Sequence, residues 1–433
     1  QGVGMFYQYV IVGGGAGGVE LAARLGRQFG REQGRDKVLL IDRSVFHIWK
    51  PTLHEVAVGT LNPQQEGLSY SILARRNNFS FTVGNLVGLD AEQKQLTLAS
   101  VYTDDQDHDL IIPERTISFE RCILAMGSGS NFFNTKGAAE HAYVLENAQD
   151  AQRFQRHLLD LFAKAAYSPQ KSLNVVIIGG GATGVELAAE MTEAYHEILQ
   201  TFGSPQRFDI KITLIESSPR ILAGLPETVS TQATSALQQK GIQVLTSTRA
   251  EEVGRDFVQT DHTRIEADVV VWAAGIKAAD INPSFGLPVN RINQFEVNAQ
   301  LQTPADAVYA MGDCAACKWE DDKLLPARAQ VAHQQATYLT RLLKAHDAGQ
   351  GFNDAFVYKD SGSLVSLGDN KGVGNLMGSL SGKSFFIEGL VAKWMYMSLH
   401  LMHHRAILGT PKTILLAFAR LAQRRVSGRL KLH

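Results

Sequence analysis

Gly13, Gly15 and Gly18 stand at G-x-G-x-x-G spacing, and Gly179, Gly181 and Gly184 repeat it. Such a turn can cradle a pyrophosphate. The first glycine permits a tight turn, the second lets the backbone approach the phosphates, and the third lets a helix pack on the preceding strand. The anion then rests on unpaired N–H groups at a helix N-terminus, here near Ala16 and Thr183. Each turn is followed by a hydrophobic run closing on an acid: Asp42, 24 residues beyond Gly18, and Glu216, 32 beyond Gly184. A carboxylate at that point accepts hydrogen bonds from a ribose 2′-OH and repels a 2′-phosphate. Two adenine dinucleotides are therefore expected, the second being NADH rather than NADPH.

To work, each turn needs a strand before it and a helix after it. Tyr9–Leu25 and Val175–Met191 supply both, a β-branched run followed by an Ala/Leu/Glu helix pattern, and agree at twelve of seventeen positions. A chain of 433 residues exceeds the roughly 250–300 at which a single core stops growing, so two or three domains are expected. Three cysteines, Cys122, Cys314 and Cys317, are too few and too odd in number for a disulfide scaffold and suggest a reducing compartment. Cys314 and Cys317 form one C-x-x-C with no second ligand pair, so no metal site is expected, and Cys122 reads as a buried strand residue. No 18-residue apolar run lacks charges, which argues against a spanning helix. No nucleic-acid partner is expected.

Three further motifs accompany the turns: "RCILAMGS" (Arg121–Ser128), "ADVVVWAAGI" (Ala267–Ile276) and "VYAMGDCA" (Val308–Ala315). Together they resemble the flavoproteins with two dinucleotide-binding domains. The resemblance implies an α/β fold of two Rossmann-like domains, the NADH domain inserted in the FAD domain, followed by a C-terminal amphipathic-helical membrane-docking region. The corresponding ranges are 1–130 and 296–345 for FAD, 131–295 for NADH and 346–433 for the C-terminal region. It further implies that FAD lies on the first turn, near Asp42, Arg43, Leu86, Ala125 and Gly127, with Asp313 on the ribityl chain. NADH lies on the second, with Gly275 and Ile276 beside the nicotinamide.

Disulfide reductases of this architecture carry C-x-x-x-x-C just after the ribose acid, whereas here "RSVFHIWKPTLHEVAVGTL" follows Asp42 without a cysteine. That stretch, with Trp49, Lys50, Pro51 and Leu53–Ala57, resembles type II NADH:quinone oxidoreductases, in which it runs beneath the isoalloxazine. "PARAQVAHQQA" (Pro326–Ala336) resembles their quinone-side motif, matched by Ala329, Gln330 and Gln334 or Gln335. Gln330 would then bond a quinone carbonyl; alternatively it is a helix-terminal glutamine paired with backbone. Glu186 would lie near the flavin–nicotinamide contact, and Glu20 would order the FAD loop, unless each is only a favourable acid in a first helical turn. Lys383 is a second quinone-site candidate. Rival readings are a ferredoxin reductase, a sulfide:quinone reductase using Cys122 with Cys314, or an NADH-responsive sensor.

The last 45 residues carry eight Lys and Arg and no Asp or Glu. Two stretches there, "GLVAKWMYMSLHLMHH" and "KTILLAFARLAQRR", can form helices with one apolar and one cationic face, which suits an anionic bilayer surface. Packing on the FAD domain, or a homodimer contact, is the alternative. His400, His403 and His404 need no metal at headgroup level. The expected protein is a peripheral, non-pumping flavoenzyme on the cytoplasmic side of the inner membrane, passing electrons from NADH through FAD to a membrane quinone.

Overall fold

In the computed structural model, the first glycine turn joins β1 (Met5–Val12) to α1 (Ala16–Lys37), which returns as β2 (Val38–Asp42). The structure describes residues 4–44, 46–47, 68–103, 105–146, 148–201, 203–318, 324–325, 329–359, 363–366, 372–375 and 384–387. Tyr9–Val12 and Val38–Ile41 are buried. Their unbroken apolar sequence is what a parallel strand needs when both faces are covered.

Further strands widen this sheet: β3 (Ser80–Val83), β4 (Leu86–Asp90), β5 (Gln95–Leu98) and β6 (Arg115–Leu124). The order is β3-β2-β1-β6-β5-β4. The long β6 changes partner midway. Its Arg115–Ser118 half pairs antiparallel with β5, while its Cys122–Leu124 end pairs in parallel with a later strand, Val308–Ala310. Chain that returns only after residue 300 thus completes the first sheet beside its first strands.

The chain leaves through β7 (Ser128–Ser130) and builds a second sheet from β8 (Ser172–Ile178), β9 (Asp209–Ile215), β10 (Gln243–Leu245) and β11 (Val269–Trp272). All four run parallel in the order β10-β9-β8-β11. Helices α2 (Ala182–Leu199) and α3 (Glu227–Gln239) supply Val185, Leu187, Val229 and Leu237 to one face of it. The return strand, β12 (Ile276–Ala278), pairs antiparallel with β7, so the outgoing and incoming chains run side by side. Ala278, Phe285, Leu287 and Phe295, expected in the second domain, pack instead with Val10, Val12, Leu39 and Ile41 in the first.

The first unit is closed by β13 (Val308–Ala310) and α4 (Ala329–Asp347). Leu339, Leu342 and Leu343 of α4 are buried against α1 and β1. Tyr338, whose ring meets Phe352 and Phe356 edge-on, carries that core on to the segment after α4. Three short antiparallel strands, Ser363–Ser366, Gly372–Asn375 and Ser384–Ile387, follow. The two amphipathic stretches expected beyond them lie outside the described residues. No described helix is long and apolar enough to cross a membrane.

Candidate functional site

The two glycine turns have the same geometry. Gly13 and Gly179 have φ of +110° and +115°, in the region that disfavours side chains, and a Cβ on either would strike the backbone of Ala125 or Ala273. A Cβ on Gly18 or Gly184 would strike the carbonyl of Gly13 or Gly179, so the helix rests directly on its turn. A Cβ on Gly15 or Gly181 meets nothing within 4 Å. These middle glycines face open space in front of α1 and α2, the room a pyrophosphate requires. The described residues therefore fit a dinucleotide at both turns.

The acids at the strand ends are built into the turns. Asp42 accepts from Gly14 N at 2.8 Å and from Ser44 N at 2.8 Å. Glu216 accepts from Gly180 N at 3.0 Å and Ser218 N at 2.9 Å. An ionised carboxylate has about four lone-pair sites, so each retains capacity for ribose hydroxyls. Burial pushes the Asp42 carboxyl above the usual range, against the N–H bonds from Gly14 and Ser44 and the charge of Arg43. Below the first turn the Tyr70 hydroxyl donates to Gly14 O at 2.5 Å and its ring stacks on Phe81.

Asp313, 185 residues beyond Ser128 in sequence, accepts from the Ser128 hydroxyl at 2.8 Å. Gly312 N donates to Gln335 Oε1 at 2.7 Å, and Gln294 Nε2 donates to Asp313 O at 3.0 Å. Gly13, Ala125, Gly127 and Asp313 thus converge where β1, β6 and β13 end, at the carboxyl edge where doubly wound sheets bind ligands. Leu86 is buried in the core with Val12 and Ile41, the residues that lead into Gly13 and Asp42.

At the second turn Thr183 is exposed, while Glu186 and Glu190 are buried one helical turn apart on α2. Gly275 has φ of +65° and lies against the Phe133 ring. The Trp272 indole N–H bonds both Asn131 O and Ala274 O at 2.9 Å, tying the loop after β7 to the turn before β12. Ile276 is 36% exposed beside this junction.

The acceptor-side motif forms the start of α4, with Ala329 its first residue. Its glutamines have different partners. Gln334 clamps the backbone of Lys359, donating to its O at 2.7 Å and accepting from its N at 2.9 Å. Gln335 is taken by Gly312. Gln330 is half-buried and its Oε1 accepts from the Tyr358 hydroxyl at 3.4 Å. Trp49, Lys50, Pro51, Leu53 and Lys383 lie outside the described residues.

Two groupings cross long stretches of sequence, of which the first was not expected. Glu20 is fully buried; its Oε1 accepts from Arg24 at 2.9 Å and its Oε2 bonds His333 Nδ1 at 2.8 Å, joining α1 to α4. His333 was already present in the motif, three residues after Gln330, which is the helical spacing that could have drawn attention to it. Cys122 and Cys314 are fully buried thiols. Burial pushes the Cys314 thiol up to about 12 and the Cys317 thiol up to about 11, so neither supplies thiolate at neutral pH. Among the described residues no group of three or more His, Cys, Asp or Glu could hold a metal ion.

A sequence model of the pyridine nucleotide-disulphide oxidoreductases matches residues 7–336. A type II NADH:quinone oxidoreductase of Haemophilus influenzae is 37% identical over 444 aligned positions, covering 98% of this chain and 99% of that protein. One from Staphylococcus saprophyticus is 30% identical, covering 85% of this chain and 89% of its own. The fold matches that of NDH2 from Plasmodium falciparum, solved in complex with NADH, at a TM-score of 0.82 and 19% identity, over 99% of this chain and 100% of the other. Two matched cradles and near end-to-end likeness together place the chain among the type II NADH:quinone oxidoreductases, within the pyridine nucleotide-disulphide oxidoreductase family.

Proposed function

We propose that the chain is a peripheral membrane flavoenzyme that oxidises NADH and passes two electrons through FAD to a membrane quinone without pumping protons. The observation that carries this reading is the pair of complete cradles, each with an open middle glycine and a strand-end carboxylate, of which only the first is completed by Asp313. FAD belongs to the completed one, held by Gly13, Gly15, Gly18, Asp42 and Asp313. NADH visits the other, on Gly181, Thr183 and Glu216.

Bound FAD supplies the chemistry, accepting hydride from the nicotinamide and passing two electrons to the quinone. The chain's own residues bind and orient. Glu216 receives the adenosine ribose of NADH, Glu186 lines the approach to the flavin, and the Gly275–Ile276 turn bounds the nicotinamide. Gln330 donates from its amide to a quinone carbonyl, its own carbonyl held by Tyr358, and Lys383, outside the described residues, is the second candidate for that role. No step requires a proton to cross a membrane. The acid-free, cationic tail holds the enzyme to an anionic bilayer on the cytoplasmic side of the inner membrane, and a homodimer through part of that tail is compatible with this.

Mixing the purified protein with NADH without oxygen should bleach the oxidised-flavin absorbance, and a soluble quinone should restore it. Bleaching without recovery would point to a sensor or a protein-partner reductase. If NADH leaves the absorbance unchanged, the assignment of the second cradle is wrong.

A further inference from the structure

Reducing a quinone with NADH leaves one proton to be found: NADH, a proton and quinone give NAD⁺ and quinol. Hydride accounts for both electrons and one hydrogen. The remaining proton comes from water and must be delivered at the acceptor site.

We infer that His333 delivers it from Nε2, with Glu20 as the buried counter-charge that holds the ring. The inference rests on the reading that quinone binds at Gln330. Three observations carry it. First, Gln330 and His333 are three residues apart on the opening of α4, so their side chains are neighbours on the helix surface. Second, His333 Nδ1 lies 2.8 Å from Oε2 of a fully buried carboxylate whose other oxygen is held by Arg24. A carboxylate can only accept, so Nδ1 keeps its hydrogen in both charge states of the ring, and Nε2 is the atom that gains and loses a proton. Third, the His333 side chain is 36% exposed, and Nε2, across the ring from Glu20, has no hydrogen-bond partner among the described residues. One edge of the ring is thus anchored while the other has access to water.

Among the described residues, the charged groups beside this pair are Arg24, bonded to Glu20, and Arg27, whose charge also acts on Glu20 and Arg24, both on α1; Tyr358 and Lys359 contact the neighbouring Gln330 and Gln334 of α4. In each turnover the His333 Nε2–H bond breaks, a quinol O–H bond forms, and the imidazole takes its next proton from water. Glu20 holds the ring and is not the donor. His333 would be the acid of the second half-reaction only.

The test uses the full-length holoenzyme and His333→Asn, whose amide can still donate to Glu20 but cannot titrate. After reduction by NADH, single-turnover reoxidation by a soluble quinone should slow about 100-fold and lose its pH dependence. Flavin bleaching by NADH should keep its wild-type rate, which a general loosening of α4 would not allow. An independent readout is the ring ¹³C spectrum of histidine-labelled protein: the resonance missing in His333→Asn should be displaced by Glu20→Gln. Wild-type reoxidation and an unchanged pH profile in His333→Asn would overturn the inference, as would a resonance that ignores Glu20→Gln. Gln330→Ala tests the underlying reading separately. If the quinone KM does not rise there, the acceptor site lies elsewhere, whatever His333 does.

Discussion

Glu216 is one side chain with two tasks. Its carboxylate accepts from Gly180 N and Ser218 N, which shapes the second turn, and from the end of β9 it is proposed to receive the ribose of NADH. A glutamine there keeps one acceptor oxygen but turns an N–H donor toward Ser218 N and removes the charge that repels a 2′-phosphate. Glu216→Gln should therefore raise the KM for NADH and cut the NADH-over-NADPH preference roughly ten-fold, the worth of about one charge-assisted hydrogen bond. Steady-state rates with each nucleotide measure it, and an unchanged ratio would remove Glu216 from the ribose site. Asp42 is bonded to the first turn in the same way, and the position of both acids was legible because strand, turn, helix, strand and acid follow one another locally. The partners of Asp313 were not. Ser128, which donates to its carboxylate, and Gln294, which donates to its backbone carbonyl, are ordinary polar residues in sequence and gain meaning only in the fold.

At the scale of elements, the informative comparison is between the two turn-helix units. They differ at one position inside the turn motif, Gly17 against Thr183. The structure supplies the reason. A Cβ on Gly17 would collide with the Met311 side chain and lie 3.1 Å from both Cβ and O of Ala332 on α4, whereas Thr183 is exposed at the start of α2. Among the described residues, only the first unit has a second helix laid across its turn, the helix that also carries Gln330, His333 and Gln335. Gly17→Thr should thus destabilise the holoenzyme by about 1–3 kcal/mol through overpacking. Thr183→Gly should cost only helix propensity, about 0.5 kcal/mol. Thermal midpoints of the two variants decide it; equal melting would mean that α4 yields to the threonine. The same comparison marks the limit of sequence reasoning about domains. Residues 276–295 have neither a change in composition nor a clear period, so their return to the first core at β12 rests on a long-range pairing with β7 that no local pattern announces.

For the whole molecule, what matters is where the first core closes and where the charge lies. Tyr338, Leu339, Leu342 and Leu343 of α4 complete that core; Phe352 and Phe356 pack beside it, and Phe356 N donates to Ala299 O at 2.8 Å. Both cradles are thus built by residue 359, and all eight cations of the acid-free tail come later. The catalytic units and the proposed membrane anchor are therefore separable along the chain. A protein ending at Gly389 should bind FAD and be bleached by NADH at the wild-type rate, yet fail to co-sediment with vesicles rich in phosphatidylglycerol. The full chain should sediment with them and be partly released by salt, because each Lys or Arg near an anionic surface contributes about 1 kcal/mol that ionic strength screens. The apolar faces hold the remainder, so phosphatidylcholine vesicles should retain some full-length protein even in high salt. Should the shortened protein sediment like the full chain, the bilayer contact belongs to the first two units. Should it lose flavin, the tail is part of the fold rather than an anchor laid upon it.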